Sequence, residues 1–263
     1  MSAPLVLKLG GRALEAPDAA GELAAEVAAL RVPVVIVHGG GVEVSAWCMR
    51  LGLAPRFVEG LRVTDDATLE VVAAVLAGLA NKRLVAALRA AGVDAVGLAA
   101  LDGGTVTAAP HPDARRLGAV GRVDAVNPAL LETLLAAGRV PVLSSLAADG
   151  GRLLNVNADD LAAALAGALG ARSLVLLSDT PGVRLGGEWV ARLEGEALGD
   201  AISHPEVAGG MKPKLAAARA ALGAGVSRVQ IAGWAGPGTL VALLSATPPG
   251  TTIAAAREGA LRG

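Results

Sequence analysis

Lysine is scarce in this chain, and two of its lysines stand beside glycine pairs. The 23 basic residues include only four lysines, Lys8, Lys82, Lys212 and Lys214. Lys8 precedes the pair in KLGG, inside an apolar run, and Lys214 follows the pair in GGMKPKL at 209–215. A buried ammonium without an anion is costly, and a cation at a helix start opposes the helix dipole. We therefore expect an anion, such as a phosphate, between Lys8 and Lys214.

Two glycine-rich turns are expected to cradle that anion. KLGG at 8–11 and HGGG at 38–41 each follow a predicted buried strand and precede a helix. Glycine lets the backbone approach a ligand closely, and the amides at a helix start face it with the dipole behind them. Neither turn has the spacing of the nucleotide-binding phosphate loop or of the dinucleotide loop, and each alone also fits a tight turn. The residues predicted to bind phosphate are Gly10, Gly11, Gly40 and Gly41.

The polar segment NVNADD, at 155–160, precedes an Ala/Leu-rich helix. One interpretation is a helix start at which Asn157 or Asp159 caps free amides. The other is a polar cluster that orients the lysines and a substrate, which we favour because capping needs one such residue and the segment has four. In GLRVTDD, at 60–66, Arg62 lies in a predicted loop and could bind a carboxylate through two parallel hydrogen bonds.

Histidine and cysteine give weaker indications of chemistry. His38 has no Asp or Ser partner at a recognisable spacing, so a packed or backbone-bonded histidine is favoured over a catalytic one. The three histidines and the single cysteine, Cys48, form no cluster along the sequence, so we expect no dedicated metal site. Cys48 is predicted to be a buried apolar residue, and Lys82 and Lys212 are predicted to lie on the surface.

Composition excludes several classes of protein. A formal net charge of -1 with 53% hydrophobic residues is unlike a disordered chain and gives no reason to expect a nucleic-acid partner. A single cysteine excludes an internal disulfide. The sequence has no secretory start and no run of about 18 uninterrupted apolar residues, so we predict a soluble, cytoplasmic protein without a membrane partner.

Apolar runs of strand length alternate with Ala/Leu-rich segments of helical length, which predicts parallel strands with helices on both faces of a sheet. Strands are predicted at 4–11, 33–41, 93–101, 140–147, 173–179, 228–233 and 251–255. Helices are predicted at 18–30, 42–52, 66–91, 128–138, 158–169, 211–224 and 238–245. A loop is expected at 55–66, two hairpins between 101 and 128, and one hairpin around Gly186.

Four predicted strands carry glycine or polar residues at their carboxyl ends, in KLGG, VHGGG, VLSS and LLSD. Ligands of open α/β sheets bind beyond the carboxyl ends of the strands, so these residues define the expected functional edge. No Ser/Gly-rich linker divides the chain. We therefore expect two lobes on one continuous sheet, an N-terminal lobe over 1–170 and a C-terminal lobe over 171–263.

Seven motifs follow one another along the chain: KLGG, VIVHGGG, FVEGLRVTD, GLANKRL, NVNADD, LSDTPGV and GGMKPKL. In this combination, from about residue 4 to residue 253, the chain resembles the amino-acid kinase family, and within it the kinases that phosphorylate N-acetyl-L-glutamate in arginine biosynthesis. The resemblance implies a three-layer αβα sandwich with a mostly parallel open central sheet, the carbamate kinase-like fold. It also implies that the N-terminal lobe binds N-acetyl-L-glutamate and the C-terminal lobe binds ATP, with Mg²⁺ carried mainly by the nucleotide.

The same resemblance implies a role for each candidate residue. Lys8 and Lys214 would neutralise the transferring phosphoryl group, Asp159 would hold both lysines, and the four glycines would cradle the phosphoryl group. The residues implied to contact the substrate are Gly40, Gly41, Arg62, Asn155 and Asn157, with Arg62 on the α-carboxylate. The residues implied to contact the nucleotide are Ser178, Asp179, Gly182, Gly210 and Met211.

Two alternative functions remain open at this point. A sister kinase of lysine or ornithine synthesis, which phosphorylates aminoadipate or glutamate attached to an acidic carrier protein, shares KxGG, HGG and NKRL. A non-catalytic metabolite-binding protein could also use this fold. HGGG, GLRVTD and NVNAD favour free N-acetyl-L-glutamate, and the retention of Lys8 and Lys214 favours catalysis.

The resemblance also bears on assembly. Arginine-inhibited members of the family carry an additional N-terminal helix that links dimers into hexamers. Seven residues precede Lys8 in this sequence, fewer than the about 12 that a marginal helix needs. We therefore expect a homodimer that forms through the helix at 66–91, with weak or absent feedback by arginine.

Overall fold

The structure, a computed structural model, describes residues 2–10 and 18–255. The strands in these ranges are β1 (Leu5–Leu9), β2 (Val34–His38), β3 (Phe57–Val58), β4 (Leu61–Arg62), β5 (Ala95–Ala99), β6 (Val106–Pro110), β7 (Val120–Val126), β8 (Val140–Ser144), β9 (Leu146–Asp149), β10 (Arg152–Val156), β11 (Ser173–Ser178), β12 (Val183–Leu185), β13 (Glu188–Val190), β14 (Arg192–Glu194), β15 (Arg228–Gly233) and β16 (Thr251–Ala254). The α-helices are α1 (Ala19–Ala29), α2 (Gly41–Arg50), α3 (Asp66–Ala73), α4 (Asn81–Ala90), α5 (Ala114–Leu117), α6 (Ala129–Ala136), α7 (Ala158–Ala168), α8 (Glu196–Ser203), α9 (Met211–Gly223) and α10 (Thr239–Leu243).

The central sheet has eight strands, in the order β14, β16, β15, β11, β1, β2, β8, β5. Every neighbouring pair is parallel except β15 with β16. Helices α1, α4 and α10 contribute to the apolar core on one face of the sheet, and α7 and α9 contribute to the core on the other. The predicted three-layer sandwich with a mostly parallel open sheet is therefore confirmed.

The four strands with glycine or polar carboxyl ends are neighbours in this sheet. β11, β1, β2 and β8 lie side by side and run parallel, so their carboxyl ends meet at one edge. The strands that precede residue 170 form one half of the sheet, and those that follow it form the other half. The assignment of one ligand to each half stays a prediction.

The alternation of side chains along β1 determines where Lys8 lies. Leu5, Leu7 and Leu9 belong to the core on the α1 and α4 face, and Val6 belongs to the core on the α7 face. Lys8 is two residues from Val6, so its side chain is on the α7 face as well. All five strand residues are buried, and the Lys8 ammonium therefore enters the interior of the protein.

Four further strands, β6, β7, β9 and β10, close into a small barrel beside the central sheet. Of the two hairpins predicted between 101 and 128, only the antiparallel pair β6–β7 is found there, and the second pair, β9–β10, follows β8. The predicted strand at 140–147 is correspondingly divided between β8 and β9. Ser144 and Ser145 stand at the break, but apolar residues resume directly after them, so the sequence was interpreted as one strand.

Most other predicted elements are confirmed to within a few residues. The hairpin around Gly186 is the pair β12–β13. The predicted loop at 55–66 instead contains the hairpin β3–β4, which turns at Glu59 and Gly60, both with positive φ. Strand β14 and helix α8 were not predicted.

The long helix predicted at 66–91 is present, but a π-helical segment, Ala74–Ala80, joins α3 to α4. By length and composition alone, Asp66–Ala90 could cross a membrane, with a mean hydropathy of 1.7. Core helices of soluble proteins pass the same test, and Val71, Val72 and Val75 here pack in a core cluster with Val44 of α2. The composition of this helix is therefore weak evidence for a membrane span.

A buried carboxylate on the first helix, α1, contacts the start of helix α10. Glu26 of α1 is 7% exposed, and its two carboxylate oxygens accept hydrogen bonds from the N–H groups of Gly238 and Leu240, at the start of α10. The first amides of a helix have no partner inside the helix, so an acceptor from another element satisfies them. Glu26 thereby fixes the position of α10.

We predict that Glu26→Ala lowers the free energy of unfolding by about 1–3 kcal/mol, because buried amides lose their acceptor. Denaturant unfolding measures the change. Glu22→Ala, one turn earlier on α1, is the matched control and is expected to have a smaller effect. Equal losses in the two variants would show that the Glu26 contacts do not stabilise the fold.

Candidate active site

Lys8 and Lys214 share one carboxylate, that of Asp159. The Lys8 Nζ lies 2.7 Å from Asp159 Oδ1, and the Lys214 Nζ lies 3.2 Å from Asp159 Oδ2. The three residues are 6%, 9% and 4% exposed, in the order Lys8, Lys214, Asp159. The structure thus brings together the three residues predicted to be catalytic, in a buried cluster with a formal charge of one positive unit. Their part in catalysis stays a prediction.

Three elements position this cluster. β1 supplies Lys8, the first turn of α7 supplies Asp159, and the first turn of α9 supplies Lys214. Asn157 caps α7, because its Oδ1 accepts hydrogen bonds from the backbone N–H groups of Asp159 (2.8 Å) and Asp160 (3.2 Å). The segment at 155–160 is therefore both a capped helix start and a polar cluster, with different residues in the two roles.

Burial and mutual attraction shift the ionisation of the cluster. Burial lowers the pKa of Lys8 below the ordinary value of lysine, and the Asp159 carboxylate offsets this only in part. Burial acts to raise the pKa of Asp159, but Lys8 and Lys214 together outweigh it and hold that pKa below the ordinary value. Asp159 is therefore ionised at neutral pH. An anion bound at the cluster would favour the charged form of Lys8.

A cavity of about 210 Å³ opens beside the cluster. Its lining combines polar groups with the apolar side chains of Val44, Val72 and Leu76. The predicted site residues that line it are Lys8, Gly40, Gly41, Arg62, Asn155, Asn157 and Asp159. Residues separated by more than 100 positions in the sequence therefore share one small polar cavity, hereafter the lysine cavity.

Arg62 belongs to strand β4 rather than to a loop, and it is 7% exposed. Its Nη2 donates hydrogen bonds to Gly41 O (2.6 Å) and to Ser45 Oγ (2.7 Å) of α2, and its guanidinium lies 4.7 Å from the Phe57 ring centre. Among the described residues, its buried Nη1 has no hydrogen-bond partner. A buried donor of this kind requires an acceptor, and the lysine cavity is where Arg62 can meet one.

Asn155 lies next to the strand that carries Arg62. The Asn155 Nδ2 donates a hydrogen bond to Thr64 Oγ1 (3.1 Å), and that hydroxyl donates to Arg62 O (2.9 Å). Thr64 therefore connects Arg62 to Asn155, and both of these residues line the lysine cavity. The sequence could not show the contact between Asn155 and Thr64, which are 91 positions apart.

The two glycine turns differ in what the structure shows of them. The Gly10 N–H donates to Leu177 O (3.0 Å), and a Cβ on Gly10 would lie 2.7 Å from that oxygen. Close packing of β1 against β11 thus explains this glycine, and its amide is not free to bind an anion in this conformation. Gly11 lies outside the described residues. Gly40 and Gly41, at the start of α2, line the lysine cavity.

A second, larger cavity of about 900 Å³ adjoins the carboxyl ends of β11 and β15. Ser178 and Asp179, predicted to contact nucleotide, line it. Gly182, Gly210 and Met211, the other three residues predicted to contact the nucleotide, are not among the described residues that line this cavity. Gly182 lines a smaller cavity of about 270 Å³, while Gly210 and Met211 lie at the start of α9, where Gly210 O accepts a hydrogen bond from Lys214 Nζ (3.4 Å).

The large cavity also has lining residues that the sequence analysis did not select. They include Thr180 and every residue at 232–239, among them Trp234. The sequence did contain an indication of this turn. The strand RVQIAG is a fifth strand that ends in glycine at the same edge of the sheet, and the glycine-containing segment WAGPG follows it. The turn was not selected because it contains no lysine or carboxylate, and the sequence analysis gave most weight to charged groups.

The remaining expectations for single residues are confirmed. His38 is buried and contacts Gly39 O through its Nδ1 (2.8 Å), as expected for a backbone-bonded histidine. Cys48 is buried, and Lys82 and Lys212 are exposed.

Comparison with known proteins agrees with this fold and site. Residues 3–233 match the amino acid kinase family, and the chain belongs to this family. The acetylglutamate kinase of Chloroflexus aurantiacus is 45% identical over 234 residues, 88% of this chain and 92% of that protein. The acetylglutamate kinase of Methanopyrus kandleri is 46% identical over 230 residues, 84% of this chain and 91% of that protein.

A solved structure extends the comparison. The N-acetylglutamate synthase of Neisseria gonorrhoeae, complexed with coenzyme A and N-acetyl-glutamate, has a TM-score of 0.84 and 30% identity to this chain. The match covers 98% of this chain and 60% of the synthase chain. The fold of this protein thus makes up only part of that larger chain.

We predict that Lys8→Arg lowers kcat about 10²- to 10³-fold although it keeps the charge, because a planar guanidinium cannot replace a compact ammonium in a closed site. Steady-state ADP release measures the change. Lys212→Arg, an exposed lysine beside the same glycine pair as Lys214, is the control and is expected to keep the wild-type rate. If Lys8→Arg retains more than half of that rate, Lys8 has no part in catalysis.

Proposed function

We propose that this chain is an ATP-dependent kinase that phosphorylates the γ-carboxylate of N-acetyl-L-glutamate, forming N-acetyl-L-glutamyl 5-phosphate in arginine biosynthesis. The observation that carries the proposal is the cluster of Lys8, Asp159 and Lys214 beside the lysine cavity. Arg62, whose buried Nη1 has no hydrogen-bond partner among the described residues, also lines that cavity. Relatives named acetylglutamate kinase, which are 45% and 46% identical over most of the chain, support the choice of substrate.

The substrate has two carboxylates, and the lysine cavity offers a separate cationic group to each. In the proposed arrangement, the Arg62 Nη1 donates to the α-carboxylate, and Asn155 lies beside it. The γ-carboxylate then faces Lys8, with Gly40 and Gly41 close by. The apolar side chains of Val44, Val72 and Leu76 supply contacts for the acetyl methyl group and the substrate chain.

The chemistry is an in-line transfer between two anions. A γ-carboxylate oxygen forms a bond to the γ-phosphorus, the bond from that phosphorus to the bridging oxygen breaks, and ADP leaves with the bonding electron pair. A carboxylate is already ionised at pH 7, so no general base is required. The barrier arises from bringing negative groups together, and fixed positive charge with correct positioning lowers it.

Asp159 has a distinct part in this mechanism. Its carboxylate forms an ion pair with each lysine, so the two ammonium groups can lie in one buried site without strong mutual repulsion. The cluster still has one positive charge in excess, which the phosphoryl oxygens would balance. Asp159 is thereby proposed to orient the lysines, whereas Lys8 and Lys214 are proposed to touch the phosphoryl group and the leaving oxygens.

ATP is proposed to bind in the large cavity, whose volume of about 900 Å³ is within the range of small-molecule sites, roughly 300–1,000 Å³. Ser178 and Asp179 line this cavity at the carboxyl end of β11, next to β1, so the phosphates can extend from there towards Lys8. Mg²⁺ usually keeps waters and binds one or two carboxylates together with substrate phosphates. The Asp179 carboxylate could hold such an ion, which would be carried mainly by the nucleotide.

A homodimer in the cytoplasm completes the proposal. The π-helical segment Ala74–Ala80 leaves Ala74 exposed and Leu79 half-buried. Strand β5 lies at the edge of the central sheet and packs against α4, which continues the same helix. A second copy of the chain packed on this surface would bury apolar area that the single chain leaves accessible.

The proposal is tested by ADP release with N-acetyl-L-glutamate, glutamate and aminoadipate offered in parallel, each with Mg²⁺ and ATP. We expect release to be fastest with N-acetyl-L-glutamate. A rate with this substrate no higher than without it would disprove the proposal. Preference for aminoadipate would instead favour the carrier-linked sister kinase, and the free compound can be replaced by the carrier-linked one to confirm it.

We further predict that Arg62→Ala raises the KM for N-acetyl-L-glutamate and leaves the KM for ATP little changed. A hydrogen bond to a charged group contributes about 1.5–3 kcal/mol, which corresponds to roughly tenfold to hundredfold in affinity. Arg56→Ala, an exposed arginine at the entry to β3, is the control. An effect of Arg62→Ala on the KM for ATP alone would reverse the assignment of the two cavities.

A further inference from the structure

Asn81 is a fully buried polar residue to which the proposed mechanism gives no role. It begins α4 directly after the π-helical segment, in the motif GLANKRL, and it is 0% exposed. Its Nδ2 donates to Val142 O (2.9 Å) and contacts His38 Nε2 (3.0 Å), and its Oδ1 accepts from Lys82 Nζ (3.0 Å). The Asn81 Nδ2 is therefore fixed by partners on β2 and β8, and its Oδ1 by the next residue of α4.

These contacts determine which nitrogen of His38 carries the proton. The Asn81 Nδ2 can only donate, so the His38 Nε2 must accept. The proton of the neutral ring is then on Nδ1, which donates to Gly39 O at 2.8 Å. Burial lowers the pKa of His38, and Lys82, the charged group near it, acts in the same direction. His38 is therefore a neutral ring with one defined tautomer at neutral pH.

The hydrogen bond to Gly39 O bears directly on the lysine cavity. His38 alternates along β2 with Val37, so its side chain lies on the α4 face of the sheet with Ile36. The carbonyl and amide of a trans peptide point in opposite directions. A Gly39 carbonyl held by His38 on the α4 face therefore directs the Gly40 N–H to the other face, where Lys8 and Asp159 lie.

We propose that Asn81 and His38 are positioning residues that fix the Gly39–Gly40 peptide, so that the Gly40 amide donates to the transferring phosphoryl group. The proposal rests on the proposed function. It assigns the GLANKRL motif a role in catalysis through His38, although no atom of Asn81 touches a substrate. It also explains why a buried histidine stands beside three glycines without an acid–base partner.

The test compares two variants of similar shape, His38→Asn and His38→Leu. The Asn Nδ2 can occupy the place of the His38 Nδ1 and donate to Gly39 O, whereas Leu puts a methyl group there. Both variants lose the contact to Asn81 equally. We expect kcat to be at least about tenfold higher in His38→Asn than in His38→Leu, because small errors in position cost up to about 10²-fold in rate. We expect the KM for ATP to agree within about threefold.

Histidine ¹⁵N NMR of the wild-type protein gives a second, independent measurement, since the chain has only three histidines. We expect one ring, that of His38, to be in the Nδ1–H form and to stay neutral below the ordinary pKa of histidine. Equal kcat in the two folded variants, or an Nε2–H form of His38, would overturn the proposal. If both variants fail to fold, the tautomer of His38 measured by NMR in the wild-type protein decides whether the proposal stands.

The outcomes also separate this proposal from the proposed function. If wild-type protein releases no additional ADP with N-acetyl-L-glutamate, the proposed function fails. The NMR measurement would still show whether the network of Asn81, His38 and Gly39 exists. If wild-type protein is active and the two variants have equal rates, only the positioning role is lost.

Discussion

One carboxylate between two buried ammonium groups is the interaction on which the rest of the site depends. Without Asp159, Lys8 and Lys214 would be two like charges in the interior, which the protein could tolerate only by removing a proton. With it, one carboxylate pairs with both ammonium groups, and the three residues carry a formal charge of one positive unit. Ion pairs of this kind contribute little net stability because desolvation is costly. We infer that the cluster persists for binding an anion.

The architecture explains how three distant residues reach this cluster. A parallel sheet places all strand ends at one edge, and the helices that follow begin there, with their free amides facing the same region. Lys8 enters from a strand, and Asp159 and Lys214 enter from the first turns of two helices on the same face. Attraction for anions thus comes from side chains and from helix starts together. On the opposite face of the sheet, Asn81 contacts His38, and His38 is proposed to hold the Gly39 carbonyl in the turn at 38–41.

Much of this could be predicted from the sequence, for identifiable reasons. The central strands are continuous apolar runs, and the helices are Ala/Leu-rich segments of helical length. The order of strands and helices along the chain, and the three-layer arrangement, could therefore be predicted. Lysine scarcity drew attention to Lys8 and Lys214, because 19 of the 23 basic residues are arginine and few lysines remain at solvated positions. Seven of the predicted site residues line the lysine cavity, because the glycine turn, the isolated polar groups and the family resemblance each indicated some of them.

What could not be predicted depends on contacts between distant residues. The burial of Arg62 follows from the hairpin β3–β4, whose two-residue strands are too short to show a period. The π-helical segment depends on the packing of its helix and leaves no mark in an Ala/Leu-rich sequence. The Gly10 amide was expected to bind phosphate, but it pairs with β11, because a strand neighbour cannot be identified from the turn alone. The turn at 232–239 was missed because backbone and apolar groups form it.

The most direct test of the central claim is ¹⁵Nζ NMR of the lysines, which are only four in number. The account predicts that Lys8 in the free protein titrates below the ordinary pKa of lysine. It also predicts that this pKa rises when Mg²⁺ and a non-hydrolysable ATP analogue bind, because phosphate oxygens then stabilise the ammonium. A Lys8 that titrates at the ordinary value and does not respond to the nucleotide analogue would contradict the account.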